Sequence, residues 1–547
     1  MSMTEHKTMR WYEGGHAIQA THPYVTAIQT LDTPFAVVSD TGIPRVEVDG
    51  TAVFGRAQPS TNAKPILAWV NALTPDQLGD ATFCRDYGVR IPYVVGAMAN
   101  GITSTTMVIA AARGGLLGFF GAAGLSTPAI ESAIVEIKDA VGDAPFGINL
   151  IHSPQVPQQE HETVALLRKH GVSNVSASAY IKITPAIVAY RATGLTRENG
   201  EVKIGHRVLA KVSRPEVALQ FLNPAPVAVL DELLSQGEIT QEQYELARIT
   251  PMADDITAEA DSGGHTDNRA APVLIPQLIA LRDDVVAKRN FTGMVRVGAA
   301  GGLSSPPAIA AAFAAGAAYV VTGTINQACV EAGTSQFVRE LLATVDATDV
   351  TMAPSSDMFE AGVKVQVLKR GTLFAMRANQ LYTLYKSCNS IDDIAADTKA
   401  NIERTIFQKT LEEVWEACVS FFSTRDPQEI TRADKDPKHK MALIFRWYLG
   451  LSSRWAITGE PTRHMDAQIW CGPAIGAFND WTKGSFLADP QNRDVVTVAV
   501  NLMAGAAALT RAREMQRQGV HPNLASTTWT PRKVIDHHVR GQNVHEA

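Results

Sequence analysis

Between about residue 86 and residue 345 the chain repeats one pattern eight times: a short apolar run of β type, then a stretch with helical spacing. The runs are Pro92–Val95, Leu116–Phe120, Phe146–Ile151, Asn174–Ala179, Val208–Val212, Ile256–Ala260, Met294–Val297 and Ala318–Val321. Strands joined by helical crossovers lie parallel, because each helix returns the chain to the same end of the sheet. Eight such strands close a (β/α)8 TIM barrel, and that α/β class is the one read here. A doubly wound open sheet is the competing arrangement of the same elements. Helix starts support the alternation: Thr103 precedes Ser104–Ala112, Ser126 precedes Pro128, Thr184 precedes Pro185 and Ser305 precedes Pro306. Ser or Thr at an N-cap accepts a backbone N–H, and proline suits the first turn, where its missing N–H has no helical partner.

The flanks extend this frame. Asn223 to Met252, helical over Val227–Ala247 with a turn at Gly237, reads as an insertion after strand five (about 223–252), of the kind that covers an active site. Residues 1–85 read as an N-terminal β-rich appendage, with Phe35–Val38 and Val46–Phe54 as strand material and Asp49-Gly50 as a hairpin turn. Residues 346–520 read as a C-terminal helical lid: Leu373–Leu384, Ile402–Phe422, Lys440–Leu451 and Val495–Gln516 are helical, with loops at Arg425–Asp436 and Cys471–Phe486. Residues 521–547 form a loosely ordered polar tail. At roughly 150 residues per domain the length allows three or four domains, and one barrel takes about 250 residues of it.

Composition narrows the partners. Lys+Arg 49 against Asp+Glu 55 gives a net charge of −6 without a basic run, which argues against nucleic acid and membrane surfaces. Hydrophobic residues at 46% exclude an intrinsically disordered chain. The five cysteines (Cys84, Cys329, Cys388, Cys418, Cys471) contain no CxxC pair, so neither a disulfide framework nor a cysteine zinc site is expected. No signal pattern opens the chain and no unbroken apolar run reaches the roughly 18 residues of a membrane span, so a cytoplasmic protein is expected.

Three segments carry chemistry. Met294-Val-Arg-Val-Gly-Ala-Ala-Gly-Gly-Leu-Ser-Ser-Pro-Pro-Ala308 reads as a strand ending at Gly298, a small-residue turn and a helix opening at Pro306. Gly301 and Gly302 let a ligand approach the backbone, and the strand Tyr319–Val321 ends in a second such turn, Thr322-Gly323-Thr324. Barrels commonly hold phosphate between the loops after strands seven and eight, although glycine-rich segments also serve as plain βα turns. Following strand six, Glu259-Ala-Asp-Ser-Gly-Gly-His265-Thr-Asp-Asn-Arg269 places His265 behind Gly263 and Gly264. A histidine at a strand end suits proton transfer near neutral pH; the alternative is a surface-loop histidine. Asp261, Asp267 and Arg269 are weaker candidates and suffice to order the loop. The third set is Gly96-Ala97-Met98-Ala99-Asn100-Gly101 after strand one, Asn149 in strand three and Lys211 near the end of strand five. Small residues admit a flat ring and an amide can bind its polar edge, yet Asn and Lys at strand ends are also ordinary structural residues.

These motifs occur in the order seen in the flavin-dependent nitronate monooxygenase (2-nitropropane dioxygenase-like) barrel superfamily, and the chain also resembles FMN-dependent enoyl-acyl carrier protein reductases. It is most similar to the PfaD family of trans-acting enoyl reductases of polyunsaturated fatty acid and polyketide synthases. That resemblance rests on Asp261–Arg269, on Arg207-Val-Leu-Ala-Lys-Val-Ser-Arg-Pro215 and on Ile469-Trp-Cys-Gly-Pro-Ala-Ile-Gly-Ala-Phe-Asn479, and runs from about Trp11 to Gly519. It implies FMN with its phosphate on Gly301, Gly302, Gly323 and Thr324 and its ring against Gly96, Ala97, Met98 and Asn149, with Gly263 and Gly264 nearby and Lys211 in the same mouth. It implies His265 beside that ring as the catalytic residue, NADPH or NADH as electron donor, and an acyl carrier protein domain as partner. Met358–Tyr385 aligns with the lid of these reductases; Trp470–Phe478 either shapes an acyl tunnel or belongs to the lid's core. Lys364, Lys369 and Arg370 suit an acidic carrier protein but also a solvated face. Nitronate oxidation by O2 is the alternative activity, and a non-catalytic docking subunit is a third reading. A homodimer is compatible with the sequence.

Overall fold

Eight parallel strands close into a barrel: Tyr93–Val95, Leu117–Phe120, Gly147–Ile151, Asn174–Ser178, Arg207–Val212, Asp255–Glu259, Arg296–Ala300 and Val320–Thr322, here barrel strands one to eight. Closure comes from Val320 pairing with Tyr93 and Val321 with Val94. The structure is a computed structural model and describes residues 10–55, 60–152, 157–289, 295–521 and 528–533. The expected order and number of strands are those observed, and the open-sheet alternative falls.

Strand seven corrects its expected bounds. Met294 lies outside the described residues, and the strand runs Arg296–Ala300 with Gly298 inside it rather than at its end. Gly298 is required there because a Cβ would lie 2.3 Å from the Tyr319 ring, which fills the barrel interior. Small residues that make room for a ring thus resemble a turn when read from sequence.

A short helix, Ala81–Tyr87, plugs the N-terminal end of the barrel, capped by Asp80, which accepts from the Thr82 amide at 2.8 Å. Its Phe83 stacks on Tyr319 with ring centroids 4.4 Å apart. Beneath the rings, Arg296 and Asp255, first residues of strands seven and six, pair at 2.7 Å, and Asp86 and Tyr87 complete the cluster. The helices on the outside start as expected, with one change. Ser104, not Thr103, is the cap of helix Thr105–Arg113, accepting from the Met107 amide. Thr103 is fully buried and instead ties the turn after strand one, donating to the Gly96 carbonyl and accepting from the Met98 amide, both at 2.8 Å.

The insertion near 223–252 does not cover the mouth. It consists of helices Val227–Ser235 and Gln241–Ala247 and lies between the helix Pro215–Leu222 and strand six. A segment that follows a barrel helix sits at the N-terminal end, and here Met252 and Ala253 donate back to Asn223 and Phe221 to close it off.

Residues 10–70 form a six-stranded sheet in the order His16–Ala17, Ile43–Val48, Phe35–Asp40, Lys64–Val70, Arg10–Glu13, Thr51–Phe54. The expected Asp49-Gly50 hairpin is not one. Ile43–Val48 pairs with Phe35–Asp40, whereas Thr51–Phe54 pairs with Arg10–Glu13 three places away. The chain crosses at Asp49-Gly50, where the Gly50 amide donates to the Tyr12 hydroxyl at 2.7 Å. The hairpin turn is Thr41-Gly42, with φ of +52° and +85°.

The C-terminal helical region is present, with five departures from expectation. Val350–Pro354 and Lys364–Leu368 are strands that form a three-stranded sheet with Gly264–His265. The expected loops are partly helical, at Pro427–Lys435 and Ala474–Thr482. The long helix expected over Ile402–Phe422 is broken at Gln408, which has a φ of +57°, and restarts at Leu411. The last helix, Val495–Arg517, is not part of a lid. It packs against Pro306–Ala314 and Thr105–Arg113, the helices after strands seven and one, which is the place of the eighth barrel helix. The lid is therefore an excursion between strand eight and the last helix. By length and composition Val495–Arg517 could cross a membrane, yet 72% of its most apolar window is buried in the protein. The tail is not wholly loose: Trp529 is 3% exposed and its Nε1 donates to Asn501 at 3.1 Å.

Candidate active site

The cofactor and catalytic candidates read from the sequence lie in or after the C-terminal ends of barrel strands, the end at which barrel enzymes place their chemistry. Strands seven and eight are neighbours, with Ala300 opposite Val321, so the turns Gly301-Gly302 and Gly323-Thr324 stand side by side. Gly301 and Gly302 have φ of +88° and +73°, where only glycine sits without strain. A Cβ on Gly301 would lie 2.7 Å from the Ala260 carbonyl carbon, while Gly302 and Gly323 have nothing within 4 Å of where a Cβ would be. The two turns form a cradle with one crowded wall and an open face. Gly301→Ala combines a left-handed backbone with a backbone clash, about 1–2 kcal/mol from conformation alone. The expected result is a loss of stability of that size, checked by a lowered midpoint of urea unfolding.

Gly96 is buried between strands one and eight; its amide donates to the Thr322 carbonyl at 2.9 Å and a Cβ would lie 2.8 Å from that oxygen. Ala97 and Met98 follow, half-buried. Asn149 is 6% exposed and its Nδ2 donates to Ser176 O and Ser178 Oγ, both at 2.9 Å. Only its Oδ1 remains for a ligand, so Asn149 is an acceptor rather than the two-way partner expected. Lys211 Nζ lies 2.9 Å from Glu259 Oε1 across strands five and six, with both side chains about three-quarters or more buried.

His265 occupies the two-residue strand that joins the barrel to the excursion: Gly264 pairs with Gln366 and His265 with Val365. Its Nε2 lies 3.1 Å from Ser355 Oγ and 3.3 Å from Asp357 Oδ1. Half of the side chain stays exposed. Burial works against the imidazolium, but the adjacent Asp357 carboxylate outweighs it and raises the His265 pKa. Asp357 is held well below the usual carboxylate range: burial opposes this, and the hydrogen bond and charge of His265 overcome it. Asp261 and Asp267 order the loop, Asp261 through Asn268 at 2.8 Å and Asp267 through Arg214 at 3.0 Å.

Segment 470–472 of the excursion rests on this loop. A Cβ on Gly263 would meet Cys471 Cα at 2.7 Å, and the Gly472 amide donates to Thr324 Oγ1 at 3.3 Å. Trp470 lies 4.0 Å from where a Cβ on Gly264 would be, whereas Phe478 is fully buried against Trp481 and Arg493 and belongs to the core. Ser262 Oγ and Gln366 Oε1, on either side of Gly263-Gly264, are buried with no partner among the described residues. Lys364 and the pair Lys369-Arg370 stand at opposite ends of one strand, and Arg370 is paired with Asp349. They do not make a single patch. Ser355, Asp357, Glu259 and Gln366 were not legible as site residues; only the strand-end position of Glu259 carries a signal.

This arrangement of a barrel, a glycine cradle and a carboxylate-backed histidine is that of a TIM-barrel protein with its candidate site at the C-terminal ends of the strands. Residues 87–396, more than half of the chain, match the nitronate monooxygenase family, and residues 388–467 match the inserted helical domain of [acyl-carrier-protein] S-malonyltransferase. The chain belongs to the nitronate monooxygenase family and, within it, to the PfaD-like group. It is 47% identical over 82% of its length to a polyunsaturated fatty acid synthase subunit of Thraustochytrium, of which it spans 30%. It is 45% identical over 81% of its length to the polyketide biosynthesis protein PksE of Bacillus subtilis, of which it spans 57%. The solved enoyl reductase domain of MlnA, from the macrolactin cluster of Bacillus amyloliquefaciens, is 38% identical with a TM-score of 0.77, covering 81% of this chain and 99% of that one.

Proposed function

We propose that this chain is an FMN-dependent enoyl reductase that uses NADPH or NADH to reduce 2-enoyl thioesters carried by an acyl carrier protein, in polyunsaturated fatty acid or polyketide biosynthesis. The observation that carries this reading is the shared mouth of the glycine cradle and the Asp357-backed His265, in a chain 38% identical to a solved enoyl reductase domain. The residues present fit FMN: Gly301, Gly302, Gly323 and Thr324 would take its phosphate, and Gly96, Ala97, Met98, Asn149 and Lys211 would line its ring, with Asn149 Oδ1 free to accept. Bound there, FMN supplies a two-electron carrier that takes a hydride from nicotinamide and gives it to carbon. Negative charge develops on the thioester oxygen as the β-carbon is reduced, and a positioned donor at that oxygen lowers the barrier. His265 is the donor facing the mouth. Its raised pKa favours the protonated ring, which suits an acid.

The same feature weighs against nitronate oxidation with His265 as base, since a base must start neutral. A cytoplasmic setting fits five cysteines that are all free thiols. Two assays separate the readings: 2-enoyl thioesters reoxidise the NADPH-reduced protein without oxygen, and alkyl nitronates cause no oxygen uptake. Nitronate-dependent oxygen uptake without enoyl reduction overturns the proposal. A second prediction follows from Asp357. A donor is lost as pH rises through its pKa, and Asp357→Asn removes the charge that raises it. The alkaline limb of the pH profile of enoyl reduction therefore moves to lower pH in Asp357→Asn, as steady-state rates across pH would show.

A further inference from the structure

We propose that His265 acts through Nδ1, and that Ser355 is the positioning residue that makes this so by holding hydrogen on Nε2 whether the ring is neutral or charged. This rests on the enoyl reductase reading above. The assignment follows from where protons can sit. Ser355 Oγ donates to Asp357 Oδ1, since an ionised carboxylate can only accept. With its one proton committed there, Ser355 Oγ meets His265 Nε2, at 3.1 Å, as an acceptor. Asp357 Oδ1, 3.3 Å from the same nitrogen, is an acceptor too. Nε2 thus faces two acceptors and, among the described residues, no donor, so it carries hydrogen in both states. This differs from a Ser-His-Asp triad, in which serine and aspartate lie on different ring nitrogens. Here both lie on one. Nδ1 is left without a partner among the described residues, on a side chain that is half exposed.

The two acceptors are built into a firm corner of the excursion. Ser355 is 1% exposed, and its amide donates to Val363 O at 2.9 Å, which extends the pairing of Val350–Pro354 with Lys364–Leu368. Asp357 Oδ1 also accepts from the Met358 amide at 3.1 Å. Arg446, from the helix Pro437–Thr458, donates through Nε to Ser356 O at 2.8 Å, and Phe359 is fully buried. His265 pairs through its backbone with Val365, on the strand that follows this corner. The imidazole and its acceptors therefore belong to one small sheet, and the excursion sets which nitrogen is free. The other carboxylate acting on the ring is Glu259 at the end of strand six, itself paired with Lys211.

A ring held this way has one nitrogen to offer. When protonated, it presents Nδ1–H to the thioester oxygen as hydride, drawn from NAD(P)H, reaches the β-carbon and the C=C electron pair moves toward that oxygen. When the enolate oxygen takes the proton, an O–H bond forms and the Nδ1–H bond breaks. The ring is left neutral, with the Nε2 hydrogen still on Ser355. The next proton then enters at Nδ1 from solvent, with no exchange of tautomers.

The test uses the full chain with FMN bound and with ¹⁵N-labelled histidine, the His265 signals being identified by their loss in His265→Gln. Above its pKa and without substrate, wild-type His265 is expected to be neutral with hydrogen on Nε2 and none on Nδ1. Ser355→Ala is expected to populate both neutral tautomers while keeping its FMN and its bleaching by NADPH. Its reoxidation by crotonyl thioester should slow about two- to tenfold, the net worth of one hydrogen bond. Nδ1-methylhistidine in place of His265 blocks the proposed atom and leaves Nε2 as it was; reoxidation should slow by about 10²-fold or more at unchanged bleaching. A neutral wild-type ring with hydrogen on Nδ1 overturns the proposal, and so does a wild-type reoxidation rate in the methylated protein; these two decide the matter if Ser355→Ala does not fold. Unchanged tautomer and rate in Ser355→Ala overturn the role of Ser355. A wild-type protein that binds no FMN or leaves crotonyl thioester unreduced instead overturns the enoyl reductase reading and the role of Nδ1 with it.

Discussion

Replacing His265 with glutamine is expected to leave FMN binding intact and to lower enoyl turnover by about 10²–10⁴-fold, the usual contribution of a positioned acid. The cofactor contacts proposed above come from Gly301, Gly302, Gly323 and Thr324 and from the turn after strand one, none of which bonds to the His265 ring. The ring partners are Ser355 and Asp357. Glutamine keeps a donor in the mouth but has no proton to release near neutral pH. Its strand pairing through Val365 is made by backbone, so the loop keeps its place. Stopped-flow measurement separates the outcomes: bleaching by NADPH persists and reoxidation by crotonyl thioester fails. An unchanged reoxidation rate removes the role assigned to His265.

The largest loss of stability is expected at the opposite end of the barrel. Arg296, 5% exposed, holds both oxygens of fully buried Asp255 at 2.7 and 3.0 Å and reaches Asp86 at 2.6 Å. Asp255 also accepts from the Tyr87 hydroxyl at 2.6 Å. Arg296→Met leaves a carboxylate in an apolar interior with one hydrogen bond, and breaking a buried pair this way costs about 3–5 kcal/mol. That is a large share of the ~5–15 kcal/mol by which proteins are stable. Urea unfolding would show a lowered midpoint. Arg296→Met with Asp255→Leu removes the orphaned charge and should recover part of the loss, because apolar replacement of a whole buried pair is often near neutral.

The barrel was legible because most strand runs are apolar and four of the following helices open on Ser or Thr, two signals that do not depend on distant contacts. Where distant contacts decide, the sequence misleads. Asp49-Gly50 has the composition of a hairpin, yet Tyr12 captures the Gly50 amide and the following strand pairs elsewhere. Gly298 resembles a turn because Tyr319, just before the next strand, occupies its missing side chain's space. The last helix looks like more of the lid, since nothing local records that it returns to helices more than 170 residues earlier. In the site, His265 and the glycine turns follow strand ends and stand out. Asp357, which raises the His265 pKa, arrives between two strands of the excursion and cannot be found from spacing.

The central claim is tested most directly by one anaerobic titration of the purified full chain, followed by its absorption spectrum. The account predicts a yellow protein with bound FMN that bleaches on addition of NADPH or NADH and regains its colour, mole for mole, when a crotonyl thioester is added. A colourless protein that cannot be reconstituted with FMN contradicts it, as does a bleached protein that the thioester leaves reduced.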